Sequence, residues 1–294
     1  MTDRCFYSKI ILFGEYSMIF DSTALMIPYR RYKAQWKFNQ SSTDSSAISS
    51  NRNIKKYYQY LLHEKDLAQH LDMQCFYEDL QTGLYLDSDV PSGYGLGSSG
   101  TLVAAVYHRY ALHPMEDPMR LKTFFGRMES YFHGSSSGID PLECYLNKPF
   151  KITKTGVQIL DNDFISPDIH VFLLDTGIKS NTKPLVQYFK DQRDDETYLS
   201  MFQANYVPCV NACINSLIQH DDDAFFYHLR KLSDAQLKYL RPMVTENMVD
   251  LFLEEHDFHL GYKILGSGGG GFVLGFTDNL PAAEEIDPVV EIKL

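Results

Sequence analysis

The sequence has few of the features that mark secreted or membrane-spanning proteins. Its 294 residues include five cysteines and one tryptophan, and no CxxC pair occurs. An odd and sparse set of cysteines does not make a disulfide framework in a chain of this length, which favours a reducing compartment. The one apolar run near the start, residues 10–13, is too short to cross a bilayer or to target the chain. We therefore expect a cytoplasmic protein with no membrane partner.

Positive charge is also scarce. Acidic residues outnumber basic ones by 38 to 27, and the net charge is -11. Nucleic acids and anionic membranes are bound through basic surfaces, so neither is an expected partner. The ten histidines form no HExxH pattern and no His/Cys set at zinc spacing, which argues against a protein-ligated transition metal. Any phosphate group must be bound by a local site.

The chain does have the composition of a folded protein, with 44% hydrophobic and 22% charged residues. Its length suits two domains with a ligand cleft between them. Gly, Asn, Asp and Pro separate apolar runs in residues 155–168, which marks the boundary. We predict domains at residues 1–160 and 161–294.

Local patterns predict both strands and helices. In the first domain they indicate strands at 9–13, 23–29 and 83–90, helices at 54–70, 101–112 and 119–132, and a serine-rich loop at 39–53. In the second domain they indicate strands at 171–174, 262–265, 272–276 and 289–292, with helices at 182–191, 196–219, 222–238 and 242–255.

Residues 91–101, PSGYGLGSSGT, lie between a predicted strand and a predicted helix. Gly95, Gly97 and Gly100 make a literal GxGxxG, but the second parallel strand of a dinucleotide site is missing. A Walker A loop is excluded because no lysine occurs between Lys65 and Lys122. What remains is a phosphate cradle of backbone amides and hydroxyls at a helix N-terminus, or an ordinary glycine-rich turn with a serine cap.

Two carboxylates stand out in the following segment. Glu129 lies on the flank of the apolar stripe of helix 119–132, where a partly buried carboxylate suits Mg²⁺; the alternative is a solvated glutamate. Asp140 follows the small residues of SSSGI, where it can accept or orient the proton of a phosphoryl acceptor. The alternative for Asp140 is a cap on the segment that starts at Pro141.

Two further features complete the set. The four glycines at 268–271 exceed the needs of a hairpin and suggest close approach to a ligand, although a flexible turn is the alternative. Lys9 is the only charge in residues 6–14 and faces either solvent or a phosphate.

Taken in order, residues 9–16, 91–101 and 265–272 resemble the three signature stretches of the galactokinase, homoserine kinase, mevalonate kinase and phosphomevalonate kinase (GHMP kinase) superfamily. The resemblance covers nearly the whole chain. It implies an α+β fold of two domains, a ribosomal-protein-S5-domain-2-like N-terminal domain and a ferredoxin-like C-terminal domain, with ATP in the cleft between them.

Within that superfamily KIILFGE and ESYFHGSSSGID are most similar to mevalonate kinases. The resemblance implies that Asp140 and Lys9 are catalytic and that Ser99 and Glu129 hold Mg²⁺. It also implies that loop 91–101 binds ATP, with Gly95 to Ser99 around the β- and γ-phosphates; the expected contacts are Pro91, Gly93, Gly95, Leu96, Gly97, Ser98, Ser99, Gly100 and Thr101.

For the acceptor, DTGIKSNTKPLV resembles the substrate-side loop of the family. The expected substrate contacts are Glu15, Tyr16, Gly138, Lys179, Thr182, Gly268 and Gly269. Tyr16 is a departure, because mevalonate kinases usually have His there, and GEY together with GSSG resembles phosphomevalonate kinases. Those kinases do not usually carry a pattern like SSGID, so mevalonate remains the preferred acceptor.

The implied function is transfer of the ATP γ-phosphoryl group to a primary alcohol, with mevalonate first, in isoprenoid precursor synthesis. Phosphomevalonate or a sugar as acceptor, decarboxylation of mevalonate diphosphate, and a non-catalytic sensor remain open. The expected partner is a small-molecule alcohol, and the expected state is a monomer or homodimer.

Overall fold

The computed structural model describes residues 4–20, 22–39, 43–254, 259–286 and 289–292. The chain divides into two compact units, each made of separate stretches. Unit one comprises Met1–Lys9, Pro28–Pro91 and Gly97–Asn147, and unit two comprises Ile10–Ile27, Ser92–Leu96 and Lys148–Leu294. The predicted domain bounds at 1–160 and 161–294 stay a prediction.

The strands are β1 (Phe6–Phe13), β2 (Ala24–Phe38), β3 (Leu84–Ser88), β4 (Phe150–Thr153), β5 (Gly156–Ile159), β6 (His170–Asp175), β7 (Leu260–Ile264), β8 (Phe272–Thr277) and β9 (Val289–Glu291). The α-helices are α1 (Ser45–His63), α2 (Lys65–Ala68), α3 (Met73–Gln81), α4 (Ser98–Tyr110), α5 (Pro118–His133), α6 (Ile139–Leu146), α7 (Thr182–Arg193), α8 (Glu196–Met201), α9 (Val207–Ile218), α10 (Asp222–Tyr239), α11 (Val249–Leu253) and α12 (Leu280–Ile286). None of the helices within the described ranges is long and apolar enough to cross a membrane.

Unit one combines helices with a β-ladder. The second half of β2 pairs antiparallel with β3, from Ala34 opposite Ser88 to Phe38 opposite Leu84. Helices α4 and α5 each pack on α6. The apolar stripe predicted for α5 comprises five residues; Leu121, Phe124, Phe125 and Met128 are buried, and Phe132 is partly buried. This packing brings the start of α4 and the start of α6 together.

Unit two contains a four-stranded sheet in the order β7-β8-β6-β9. Its three strand pairs are all antiparallel. Helix α10 packs on β7, and every residue of β8 is buried because the strand lies inside the sheet. In the same unit β4 pairs with β5 and with the first residues of β2. The four strands predicted for the second half of the chain are confirmed, with ends that differ by one or two residues.

The loop predicted at residues 39–53 is wrong over its second part, since α1 begins at Ser45. The side chain of Asp44 accepts hydrogen bonds from the backbone N–H groups of Ser46 and Ala47, which satisfies donors that a helix start leaves unpaired. Serines favour loops through local hydrogen bonds, but a capped start and the buried Ala47 outweigh that preference here. Residues 40–42 lie outside the described residues.

The helix predicted at 242–255 is also wrong over most of its length. Two short 3₁₀ turns, Arg241–Met243 and Glu246–Met248, precede α11, and Val244 and Thr245 between them are extended. The helix predicted at 196–219 is confirmed but contains a π-helical turn, Phe202–Tyr206, just before Pro208. Proline has no N–H to donate, so an altered hydrogen-bond pattern ahead of it is expected. Residue 255 lies outside the described residues.

Candidate active site

Lys9 and Asp140 form an ion pair in unit one. Lys9 lies on β1 and is 1% exposed, and its Nζ is 2.9 Å from Oδ2 of Asp140. Burial lowers the pKa of Lys9, but the attraction and hydrogen bond of Asp140 outweigh it, so the pKa is raised overall. The side chain of Asp140 is 36% exposed, so this carboxylate is both fixed by a cation and open to a ligand.

Two glycines allow loop 91–101 to lie close to this ion pair. Gly97 precedes α4 with a φ of 79°, and a Cβ there would lie 2.8 Å from Cγ of Lys9. A Cβ on Gly100 would lie 3.0 Å from the backbone of Asp140 and Pro141. Because any side chain at these positions would collide, the glycines allow the start of α4 to pack directly on Lys9 and α6.

The starts of α4 and α6 have the same construction. Their N-caps are Gly97 and Gly138, both in the left-handed conformation and without a side-chain capping bond. The first backbone N–H groups of a helix have no partner inside it, and the helix dipole is positive at this end. Two helix starts of this kind suit an anion such as a phosphate.

Glu129 of α5 lies in the same unit and is 3% exposed. Its Oε1 accepts a hydrogen bond of 2.7 Å from the Ser99 hydroxyl, and its Oε2 accepts one of 2.5 Å from Ser136. Burial and then the negative charge of Asp140 raise the pKa of Glu129 to about 7, against the lowering effect of the two serines and Lys9. The predicted partners Ser99 and Glu129 are therefore in contact.

Sequence reasoning did not assign roles to two residues of this cluster. His133 Nε2 is 3.1 Å from the Ser99 hydroxyl, and Ser136 accepts a hydrogen bond from the Gly138 backbone while it donates to Glu129. Both lie in ESYFHGSSSGID, between the two predicted carboxylates. Their polar side chains, placed between two predicted site residues, are the sequence feature that indicates them.

A second buried carboxyl group lies one turn after Asp140. Glu143 is 0% exposed, and neither of its oxygens has a hydrogen-bond partner. Burial raises the pKa of Glu143 well above its ordinary value, with Lys9 opposing the shift. Burial therefore favours the neutral, protonated form of this side chain.

The remaining loop residues divide between the units. Pro91, Ser98 and Thr101 belong to unit one, and Gly93, Gly95 and Leu96 belong to unit two. The Thr101 hydroxyl is buried and donates 2.9 Å to the Ser98 carbonyl, so it is engaged within α4. Its predicted contact with ATP stays a prediction, as do those of the other loop residues.

In unit two, residues 92–96 are held by two other loops. The Ser180 backbone donates 3.1 Å to the Gly93 carbonyl, and the Lys179 side chain packs along Gly93. A Cβ on Gly95 would lie 3.2 Å from the Leu265 carbonyl. The predicted nucleotide loop and the predicted acceptor-side loop are thus in contact through Gly93.

The glycines at 268–271 pack against the chain itself. A Cβ on Gly268 would lie 2.4 Å from the Met243 carbonyl, and one on Gly270 would lie 2.5 Å from the Ile178 carbonyl. The Gly269 backbone donates 2.6 Å to Met243. The glycine surplus, from which we expected close approach to a ligand, is accounted for by this packing. Substrate contacts of Gly268 and Gly269 stay a prediction.

Glu15, an expected substrate contact, is buried and paired with a lysine that sequence reasoning missed. Its Oε1 is 2.5 Å from Nζ of Lys263, and the side chains are 3% and 0% exposed. Lys263 is the only charge in strand β7, the same signal that singled out Lys9 on β1. This interaction holds the carboxylate of Glu15 inside unit two.

Tyr16 and Thr182 meet at Ser267. The Tyr16 hydroxyl donates 2.8 Å to the Ser267 carbonyl, and the Thr182 hydroxyl is 3.0 Å from that of Ser267. Tyr16 has a φ of 59°, which is uncommon for a residue with a side chain. Burial and then the charge of Glu15 raise the pKa of Tyr16, so the phenol keeps its proton. Ser267 was not predicted as a site residue. The side chain of Lys179 is exposed and packs along Gly93.

Sequence comparison identifies related proteins. The family described as GHMP kinases N terminal domain matches residues 53–147. A mevalonate kinase of Arabidopsis thaliana is 24% identical over 70% of this chain and 58% of its own length. A mevalonate kinase of Dictyostelium discoideum is 25% identical over 56% of this chain and 44% of its own length. The chain thus spans about half the length of the curated relatives it matches.

Solved structures share the fold over nearly the full chain. L. major mevalonate kinase in complex with R-mevalonate has a TM-score of 0.64 at 16% identity, covering 97% of this chain and 90% of that one. Streptococcus pneumoniae phosphomevalonate kinase with phosphomevalonate and AMPPNP has a TM-score of 0.64 at 14% identity, covering 97% of this chain and 94% of that one. Lactococcus lactis galactokinase with galactose has a TM-score of 0.64 at 12% identity, covering 99% of this chain and 92% of that one.

These comparisons agree with the order of the three sequence motifs. The α+β class with two units and two sheets is confirmed by the structure and its neighbours. The resemblance indicated by the motifs is confirmed as well: residues 53–147 match the family model of the GHMP kinase N-terminal domain, and the chain shares its fold with solved mevalonate kinases.

Proposed function

We propose that this chain transfers the γ-phosphoryl group of ATP to a primary alcohol and that mevalonate is the acceptor. The observation that carries the proposal is the Lys9–Asp140 ion pair, in which the lysine side chain is buried and the aspartate side chain is partly exposed. A buried lysine beside a fixed carboxylate, next to two helix starts, supplies the charges that phosphoryl transfer needs.

Each residue has a role in the proposed reaction. The carboxylate of Asp140 accepts the proton of the acceptor hydroxyl. Lys9 stabilises negative charge on the transferred group, and its own charge is secured by Asp140. The backbone amides at the start of α4 bind the phosphates, and the conformational freedom of Gly97 allows the chain to present them.

Ser99 and Glu129 fit a Mg²⁺ ion. Their oxygens lie 2.7 Å apart, and Mg²⁺ prefers a few protein oxygens together with the phosphates of a nucleotide. In the part of the chain that the structure describes, His, Cys, Asp and Glu form no group of three that would hold a metal by themselves. These two residues would hold the ion, which would neutralise phosphate charge when bound.

The relatives support mevalonate without excluding other acceptors. Both curated relatives are mevalonate kinases, whereas the structural neighbours include a phosphomevalonate kinase and a galactokinase. Phosphomevalonate and a sugar are the alternative acceptors, and decarboxylation of mevalonate diphosphate is a further alternative. With mevalonate, the product would be 5-phosphomevalonate, an isoprenoid precursor.

A non-catalytic sensor is the alternative from another class of protein. A sensor has no need of Lys9, Asp140, Ser99 and Glu129 together, and the structure keeps all four in contacting pairs. This retention favours an enzyme. The cytoplasmic location and the monomeric or homodimeric state stay predictions.

The test is ADP release from Mg-ATP with mevalonate, phosphomevalonate, mevalonate diphosphate and galactose in turn. We expect mevalonate to give the highest rate and the phosphorylated product to keep all its carbon by mass. A higher rate with another acceptor would reassign the substrate, and CO₂ release would indicate a decarboxylase. No ADP release with any acceptor would contradict a kinase.

A further inference from the structure

A groove of about 300 Å³ lies between α1 and α3 in unit one, and we call it the α1–α3 groove. Its floor includes Leu80, which is 1% exposed, and its walls include the rings of Tyr58 and Tyr77, whose centres are 6.1 Å apart. The full lining is Arg52, Lys55, Lys56, Tyr58, Gln59, Tyr77, Leu80 and Gln81. None of these residues belongs to the candidate active site.

The cations of the groove share one face of a helix. Lys55 and Lys56 lie three and four positions after Arg52, and Gln59 follows on the same side. All four residues therefore fall within about 100° of arc on α1. All three cationic side chains are exposed. Any ligand in the groove would meet three positive charges along one wall.

These charges have no carboxylate partner among the described residues. Helix α1 contains no Asp or Glu in its 19 residues, although the whole chain has an acidic excess. The acids of α3 are not among the lining residues, and both have other partners: Glu78 accepts a hydrogen bond from Gln74, and Asp79 pairs with Arg109. A local cluster of three unpaired cations in a chain of net charge -11 favours an anion.

We propose that the α1–α3 groove is a second ligand site and that it binds a phosphorylated small molecule with an aromatic or apolar part. Arginine holds phosphate oxygens through its planar fork, and lysines add point charges. The Tyr77 ring, 46% exposed, offers a flat apolar wall beside them. The size of the groove is at the lower end of small-molecule sites, which suits a ligand of one ring and one phosphate group.

Phenyl phosphate is the probe for this site, since it combines one ring with one phosphate. Calorimetric titrations are run with AMPPNP and Mg²⁺ present, so that the proposed ATP site is occupied. The groove variant combines Arg52→Gln, Lys55→Gln and Lys56→Gln. The control variant combines Lys65→Gln, Lys148→Gln and Arg193→Gln, three exposed cations outside the groove with the same total charge change.

We expect the groove variant to bind phenyl phosphate about tenfold or more weakly, and the control variant to bind it as the wild type does. Binding should weaken between about 50 and about 300 mM salt, because the site is exposed. Tyr77→Ala should bring the affinity for phenyl phosphate down to that for inorganic phosphate. Far-ultraviolet circular dichroism confirms that each variant is folded.

Three outcomes would overturn the proposal. They are absence of phenyl phosphate binding to the wild type, equal weakening by the two triple variants, and binding of an acidic peptide in place of phenyl phosphate. The comparison of the two triple variants does not depend on the proposed kinase activity, so the groove and the active site can fail separately. Kinase activity, if found, should be the same in both triple variants when the probe is absent.

Discussion

Several ionisable side chains of this protein are buried: Lys9, Glu15, Glu129 and Lys263. Lys9 stands alone in an apolar strand, Asp140 follows small residues, and Glu129 lies on a helix flank beside an apolar stripe. Lys263 is likewise the one charged residue of strand β7. Its pairing with Glu15 joins residues far apart in the chain, which local patterns do not contain.

The Glu15–Lys263 pair yields a prediction about stability. Lys263→Met should lower the free energy of unfolding by about 3–5 kcal/mol, because it leaves a buried carboxylate without its cation. Adding Glu15→Gln to that variant should recover part of the loss. The control is Lys37→Met, which breaks an exposed pair with Asp87 and should change stability little. Equal losses in Lys263→Met and Lys37→Met, measured by urea unfolding, would refute the structural role.

Glu143 yields a prediction about pH. Its pKa is raised in the folded state, so the folded protein holds a proton that the unfolded chain releases above its ordinary pKa of 4.5. The neutral form of Glu143 therefore contributes less to the free energy of unfolding as the pH rises, and the loss is at most about 1.4 kcal/mol per pH unit. Glu143→Gln removes this loss, so the stability of the variant relative to the wild type should increase as the pH rises above about 5.

Urea unfolding of wild type and Glu143→Gln at several pH values checks this expectation. The Glu116→Gln variant serves as the control, since the same substitution is made there at an exposed position. A stability difference between Glu143→Gln and wild type that stays constant with pH would show that Glu143 is charged in the folded protein.

Elements of secondary structure were predictable where amphipathic repeats were long. Helices α5, α7 and α10 are confirmed for this reason, whereas α3, α6, β4 and β5 are nine residues or shorter and were not predicted. The start of α6 matters most, since it carries Asp140. Its position depends on Gly138 packing against α5, which is a tertiary contact that no local pattern reveals.

Two glycines beside this element make a matched test. Gly134 and Gly138 have φ values of 76° and 74°, but a Cβ on Gly134 would meet nothing, whereas one on Gly138 would lie 1.9 Å from the Lys122 carbonyl. Gly134→Ala should cost about 1 kcal/mol for the left-handed backbone. Gly138→Ala should cost clearly more and should also lower kinase activity, because it moves the Ser136 and Asp140 region. Equal stability of the two variants in urea would contradict this account.

At the scale of the whole molecule, the three motifs and their order predicted the α+β class and the family resemblance, and both are confirmed. The make-up of the two compact units could not be predicted, because each one combines stretches that are distant in the sequence. Mevalonate as the acceptor stays a prediction. Tyr16 and Thr182, two of the residues predicted to contact the acceptor, meet at Ser267 through long-range contacts that local patterns do not contain.

The central claim is that Asp140, held by Lys9, takes the proton of an alcohol during phosphoryl transfer from ATP. The most direct measurement compares wild type with Asp140→Asn for mevalonate-dependent ADP release and, separately, for AMPPNP binding. We expect the variant to lose activity by about 10²-fold or more, the scale of general-base catalysis, and to bind AMPPNP nearly as tightly as the wild type. Undiminished ADP release by Asp140→Asn would contradict the account.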